Sequence, residues 1–220
     1  MQVRILERTK TWAAVVKPAG ISSEKEGMGI AIAQALGIAA EQVYPVHRLD
    51  REVGGIMVYA LSKKAAAFLS RASAEHKMKK TYLALVCGQP ESPEGRWEDL
   101  LFHDRSRNKT FVTDRIRKGV KPAILDYQVV RQMTEPETDG QMSLLKITLQ
   151  TGRTHQIRAQ CASRGMPIAG DRRYGGRGKG GICLLAWKLS FPDPQTGTEK
   201  AYSLPMPEWA FSGCMSTIHR

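Results

Sequence analysis

The chain has 220 residues, 42% hydrophobic and 25% charged, a globular composition long enough for a sizeable core, which excludes a disordered chain. Lys and Arg number 33 against 21 Asp and Glu, a formal net charge of +12, and that excess points to a polyanionic partner, most often nucleic acid. No apolar run approaches the roughly 18 residues of a membrane span, and Met1 to Lys10 carries four charged residues and no apolar leader core, so no membrane partner and a cytoplasmic location are expected.

Residues 3–18 read as two short strands meeting at a turn, with Trp12-Ala13-Ala14-Val15-Val16 the more apolar. Lys17-Pro18-Ala19-Gly20 ends the second strand as a turn. Met28 to Leu36 reads as a short helix stopped by Gly37. Gly55 to Leu61 is a buried strand, and Ser62 caps a helix through about Glu75 with Ala66, Leu69 and Ala72 along one side. Lys80 to Val86 is a strand of β-favouring residues, and more strands are expected near 96–103, 109–114, 121–131 and 142–150.

Thr134 to Gln141 is polar and turn-rich, the mark of a hairpin tip. Thr154 to Arg164 reads as a helix closed by Gly165, Asp171 to Gly181 as a basic glycine-rich loop, and Cys183 to Phe191 and 198–207 as strands. Strands dominate and few helices intervene. The expectation is an α+β fold, a single domain over 1–220 with a mixed, mostly antiparallel sheet, flanking helices and a central basic cleft.

Two segments carry the chemistry. In Val46-His47-Arg48-Leu49-Asp50-Arg51 one carboxylate sits among cations: Arg48, Arg51 and, in its charged form, His47. Such a carboxylate stays ionised, fit to act as nucleophile or base, while the arginines hold phosphates. Gly54-Gly55 then lets the backbone turn tightly or another strand approach. In Thr151-Gly152-Arg153-Thr154-His155-Gln156-Ile157-Arg158 a tight strand-to-helix turn at Gly152 and an N-cap at Thr154 would aim free N–H groups at an anion. Arg153, His155, Gln156 and Arg158 add donors around it. Taken singly, each segment also reads as a solvated surface turn or a capped surface helix.

Tyr82 is either a core tyrosine or a flat face on which a base stacks. The run Gly175-Gly176-Arg177-Gly178-Lys179-Gly180-Gly181 lacks the strand-before, helix-after context of a nucleotide loop. It reads as a basic loop touching RNA backbone. The five histidines show no metal spacing, and the four cysteines, Cys87, Cys161, Cys183 and Cys214, no C-x-x-C pair. Three of the cysteines are expected to be buried thiols.

Taken together these segments resemble the RluA-type pseudouridine synthases. The resemblance runs from Val16-Lys17-Pro18-Ala19-Gly20 through His47-Arg48-Leu49-Asp50-Arg51, Lys80-Thr81-Tyr82-Leu83-Ala84-Leu85-Val86 and Thr151 to Arg158. It ends at Gly170-Asp171, Tyr174 and Leu184-Leu185-Ala186. It implies isomerisation of uridine to pseudouridine in structured RNA, a ribosomal or transfer RNA stem-loop, without cofactor or metal. It makes the residue at Asp50 the essential carboxylate, the one at Tyr82 the platform for the target base, and the one at Arg158 the carboxylate's partner. Arg48 would enter the RNA stack where the base has left it.

RNA contacts are expected from Arg48, Arg51, Arg153, His155, Gln156, Arg172, Arg173, Arg177 and Lys179. The chain is expected to act as a monomer without a separate N-terminal RNA-binding domain. Two positions depart from the family's usual residues: Val53-Gly54-Gly55 stands where Thr-Ser-Gly is usual, and Leu185 where histidine is common. The rival from another class is a non-catalytic RNA-binding protein on the same scaffold. A glycosidase would need a second carboxyl group, and none stands out beside these motifs.

Overall fold

The computed structural model describes residues 3–134, 140–178, 180–208 and 210. These form two compact units: Met1–Lys80 with Leu185–Pro205, and Thr81–Leu184 with the described residues from Met206.

In the first unit, β1 (Arg4–Arg8) and β2 (Trp12–Lys17) form the expected antiparallel hairpin. β2 continues antiparallel onto β4 (Gly54–Ala60). The far edge of β4 is shared. β3 (Tyr44–Pro45) pairs with its C-terminal end, and β10 (Leu184–Pro192) runs parallel along its N-terminal end. β11 (Glu199–Ser203) closes the unit against β10. Trp12 through Val15 are all buried, as are Ile56 through Ala60. Burial on both faces explains why these strands read as unbroken apolar runs.

One face packs Trp12, Ala14, Ile56 and Val58 against Ala65 and Leu69 of α2 (Lys63–Ala74). Ser62 caps that helix as expected, its Oγ accepting from the Ala65 N–H at 3.2 Å. Ala65, Leu69 and Ala72 are the buried stripe; Ala66, placed on that stripe by the sequence pattern, is only partly buried at its margin. On the other face, Tyr59 donates its hydroxyl to Ser23 O at 2.8 Å, fixing the approach to α1 (Ile30–Leu36).

In the second unit the strand order is β5–β9–β8–β6–β7. The strands are β5 (Lys79–Cys87), β6 (Glu94–Asp104), β7 (Lys109–Val112), β8 (Val120–Thr134) and β9 (Gln141–Leu149). β7, β6, β8 and β9 pair antiparallel throughout. The pair Thr134↔Gln141 closes the expected hairpin, whose tip at 135–139 lies outside the described residues.

α3 (Gln156–Ser163) packs Ala159 against Leu101 and Ala123. The α+β class and the mixed, mostly antiparallel pairing expected from the sequence are observed. Among the described residues no helix is long and apolar enough to cross a membrane. Cys161 and Cys183 are buried, with their thiols pushed up to about 12 by desolvation, and Cys87 is half-buried; Cys214 lies outside the described residues.

Candidate active site

Asp50 lies half-buried on the turn between β3 and β4, where the Val53 N–H closes onto Asp50 O at 3.0 Å. Buried Leu49 and Val53 anchor the two ends of this turn. A second turn, Lys17 to Gly20, is stapled to it. The Gly20 N–H donates to Arg51 O at 2.7 Å, and Arg51 Nε donates back to Gly20 O at 2.8 Å.

The central fastener is Lys17. Its side chain is fully buried, and its Nζ donates to Pro18 O, Ile21 O and Arg51 O at 2.9, 2.7 and 3.1 Å. Burial pushes the Lys17 ammonium down to about 8, while the negative charge of Asp50 pulls the other way. Lys17 is the cation beside Asp50 that sequence reasoning passed over. Its signal was its place on β2, two residues after buried Val15, where a strand returns to the same face.

His47 is not part of the cation nest. Its Nε2 accepts the Val58 N–H at 3.2 Å, which requires the unprotonated nitrogen. Its Nδ1 is buried with no hydrogen-bond partner. Desolvation, with the Lys80 charge second, pushes the imidazole down to about 3. His47 is therefore a neutral brace between this segment and β4. Arg48 is 67% exposed and only 3.7 Å from Glu24 across a loose surface pair.

Gly55 shows why the double glycine follows. At φ 133, a Cβ there would lie 2.3 Å from Ala186 O, because β10 runs parallel against it. Close approach of another strand is the requirement. Gly54 is less confined: its Cβ would lie 3.3 Å from Lys17 O.

In the second unit, the turn into α3 differs from expectation. The N-cap position is His155, not Thr154, and it holds a left-handed backbone at φ 52 with no side-chain cap. Gly152 has open space around it, and the unusual backbone falls on the histidine. The Gln156 side chain braces the turn instead. Its Oε1 accepts from the Arg153 N–H at 3.0 Å and the Thr151 hydroxyl at 2.8 Å, and its Nε2 donates to Ile124 O at 3.1 Å. Gln156 and His155 are both buried. The two residues expected at an RNA surface thus sit inside the packing, with the Gln156 amide committed to the chain.

Arg158 is buried one turn into α3. Its Nε donates to Asp171 Oδ2 at 2.7 Å and its Nη2 to Asp171 Oδ1 at 2.8 Å. The guanidinium lies over the Tyr174 ring, 5.2 Å from its centroid. Tyr174 Oη accepts the Thr110 N–H at 2.7 Å and meets His155 Nδ1 at 3.1 Å. Burial pushes the Tyr174 phenol above its ordinary range. Asp171 and Tyr174 stood among the residues of the resemblance, but without a role. Tyr82 is buried on β5.

Arg51, Arg172, Arg173 and Arg177 are exposed, and Arg153 is half-buried. Arg153 Nε donates to Pro122 O at 2.9 Å, and Arg173 Nη1 donates to Asn108 O at 3.0 Å. Lys179 lies outside the described residues. Among the described residues, no group of three or more His, Cys, Asp or Glu gathers in a metal-binding arrangement.

The family model for RNA pseudouridylate synthase matches residues 11–163, a span containing Lys17, Asp50, Tyr82 and Arg158. The chain belongs to this family. An uncharacterized RNA pseudouridine synthase of Aquifex aeolicus is 34% identical over 174 residues, covering 74% of this chain and 53% of that protein. The chain thus spans about half the length of that relative. The tRNA pseudouridine synthase C of Haemophilus ducreyi is 31% identical over 186 residues, covering 80% of this chain and 75% of its own. Among solved structures, human RNA Pseudouridylate Synthase Domain Containing 1 superposes with a TM-score of 0.77 at 22% identity, over 94% of this chain and 84% of that one. That likeness shows a shared fold. The RluA-type resemblance read from the sequence and the enzyme class it implies, pseudouridine synthase, are those of the family.

Proposed function

We propose that this chain isomerises specific uridines in a structured RNA, a transfer or ribosomal RNA stem-loop, with Asp50 as its essential carboxylate. Membership of the RNA pseudouridylate synthase family supports the reaction class. The observation that carries the aspartate is its setting. Asp50 stands on a turn clamped by a fully buried lysine whose charge interacts with it, and a surface turn has no need of such a clamp.

In this reading the bond from ribose to the uracil ring nitrogen breaks, the base turns over, and it rejoins through ring carbon 5, which releases its proton while the freed ring nitrogen takes one up. No atom is added, so the protein need supply only a fixed carboxylate, a surface for the detached base and a means of extracting the uridine. Tyr82 is assigned to the base and Arg158 to orienting the carboxylate; both assignments come from the resemblance. Extraction costs a few kcal/mol. Phosphate contacts by the exposed Arg51, Arg172, Arg173 and Arg177, by half-buried Arg153 and by Lys179, together with Arg48 entering the stack, would offset it.

The test is direct. Transfer and ribosomal RNAs carrying tritium at uracil carbon 5 are incubated with the protein, and released tritium is counted alongside nucleoside analysis for pseudouridine. Tritium release matched by pseudouridine supports the reading. Tight RNA binding with no release would make the chain a non-catalytic RNA-binding protein on the same scaffold.

A further inference from the structure

We infer that Asp171 is a positioning residue for the proposed reaction, holding the guanidinium of Arg158 in one orientation with Tyr174 as its floor. The inference rests on the role given to Arg158 above.

A guanidinium on a three-carbon stem has many orientations. Here two parallel N–H···O bonds to one carboxylate fix both its place and its plane. Both side chains are shut from solvent, Arg158 2% and Asp171 0% exposed. The aromatic ring of Tyr174 lies against the guanidinium, and that ring is itself pinned at its hydroxyl by Thr110 and His155.

The carrier of Asp171 is equally fixed. Its carbonyl accepts both the Tyr174 N–H at 3.1 Å and the Gly176 N–H at 2.8 Å, and its own N–H donates to Ile168 O at 3.0 Å. The Gly170 N–H donates to Arg177 O at 2.7 Å, closing the base of the loop. A Cβ at Gly176 would fall 1.9 Å from Ile168 O, so this tight turn admits only glycine there. One short segment thereby delivers the carboxylate and the ring to the same guanidinium.

Stability alone does not account for this arrangement. A buried ion pair is often no more stabilising than apolar residues of the same volume, whereas it holds geometry that apolar packing does not.

The experiment measures single-turnover pseudouridine formation and RNA affinity for wild type, Asp171→Asn, Asp171→Glu, Arg158→Ala and Arg158→Ala/Asp171→Asn. All are assayed at a temperature where circular dichroism shows each protein folded. The expected result is a rate loss of at least about 30-fold for Asp171→Asn with affinity within about threefold of wild type. In the Arg158→Ala background the same change should cost less than about threefold, since the two act as one unit.

A purely structural aspartate predicts additive losses, or a folded Asp171→Asn protein with wild-type rate; either overturns the inference. If Asp171→Asn does not fold, Asp171→Glu decides, because it keeps the charge and shifts the carboxylate by one methylene. A rate lowered at least about tenfold at unchanged affinity supports positioning, and a wild-type rate overturns it. Wild-type protein inactive on every RNA offered defeats the functional reading and this inference together. An active wild type with an unaffected Asp171 variant defeats this inference alone.

Discussion

Arg158 and Asp171 form a two-point ion pair, 2.7 and 2.8 Å long, closed to solvent on both sides. The pair ties the first turn of α3 to the loop that follows the helix. Removing one partner strands the other as an uncompensated buried charge. Arg158→Ala is therefore expected to lower unfolding stability by about 3–5 kcal/mol, with any catalytic loss superimposed. Urea unfolding checks it. A cost under about 1 kcal/mol would mean that Asp171 finds another partner.

Lys17 supplies a second expectation. Replacing it with methionine keeps the buried stem and removes the donor shared by the carbonyls of Pro18, Ile21 and Arg51, of which Arg51 O keeps the Gly20 N–H. Hydrogen bonds from a charged donor are worth about 1.5–3 kcal/mol each, partly offset because the lysine's own desolvation is relieved. A net loss of about 3 kcal/mol in equilibrium unfolding is expected. Unchanged stability would show that the two turns hold without the amine.

His47 sets an acid limit. Its imidazole is held near 3 in the folded chain against an ordinary value of 6.5. Between those values the unfolded chain binds a proton that the folded chain does not, so stability falls as pH drops. The slope from this one group is about 1.4 kcal/mol per pH unit, beginning near pH 6.5 and ending near pH 3. His47→Gln keeps an acceptor for the Val58 N–H and removes the titration. Denaturant midpoints at pH 7 and pH 5 should fall more for wild type than for the variant; equal falls would place the acid sensitivity elsewhere.

The double glycine should respond unequally. Gly55→Ala drives a Cβ to 2.3 Å from Ala186 O on a backbone at φ 133. Loss of at least about 3 kcal/mol, or failure to fold, is expected. Gly54→Ser, which restores the family's usual residue, brings its Cβ only to 3.3 Å from Lys17 O, and a cost of about 1 kcal/mol or less should follow. Expression yield and thermal midpoints of the two proteins separate these cases; similar losses would contradict the parallel β4–β10 contact as the cause.

The strands were legible because their runs of valine, isoleucine and aromatic residues are bounded by turn residues, as at Trp12 to Gly20 and Lys79 to Gly88. Ser62 was legible because N-capping is local: accepting hydroxyl and donating N–H lie three residues apart. The α3 entry was not. Sequence placed the cap on Thr154 and the freedom on Gly152, whereas His155 takes the left-handed backbone, with its ring against Tyr174, 19 residues on. The same limit hid Asp171. Nothing near it in sequence calls for a carboxylate; the demand comes from Arg158, 13 residues back. The charge of His47 stayed open because it is set by the Val58 N–H and by burial, neither of which a string of neighbours reveals. The catalytic assignments themselves came from resemblance, since charge pattern alone left Asp50 open as an ordinary surface pair.

The measurement that bears most directly on the account is Asp50→Asn in the tritium-release assay at saturating RNA. Asparagine keeps the shape of the turn and removes the charge that the chemistry needs. The account predicts a folded protein, RNA affinity within about threefold of wild type, and turnover reduced by at least about 10³, as expected when a group essential to the chemical step is removed. A folded Asp50→Asn protein that releases tritium within about tenfold of wild type would contradict it.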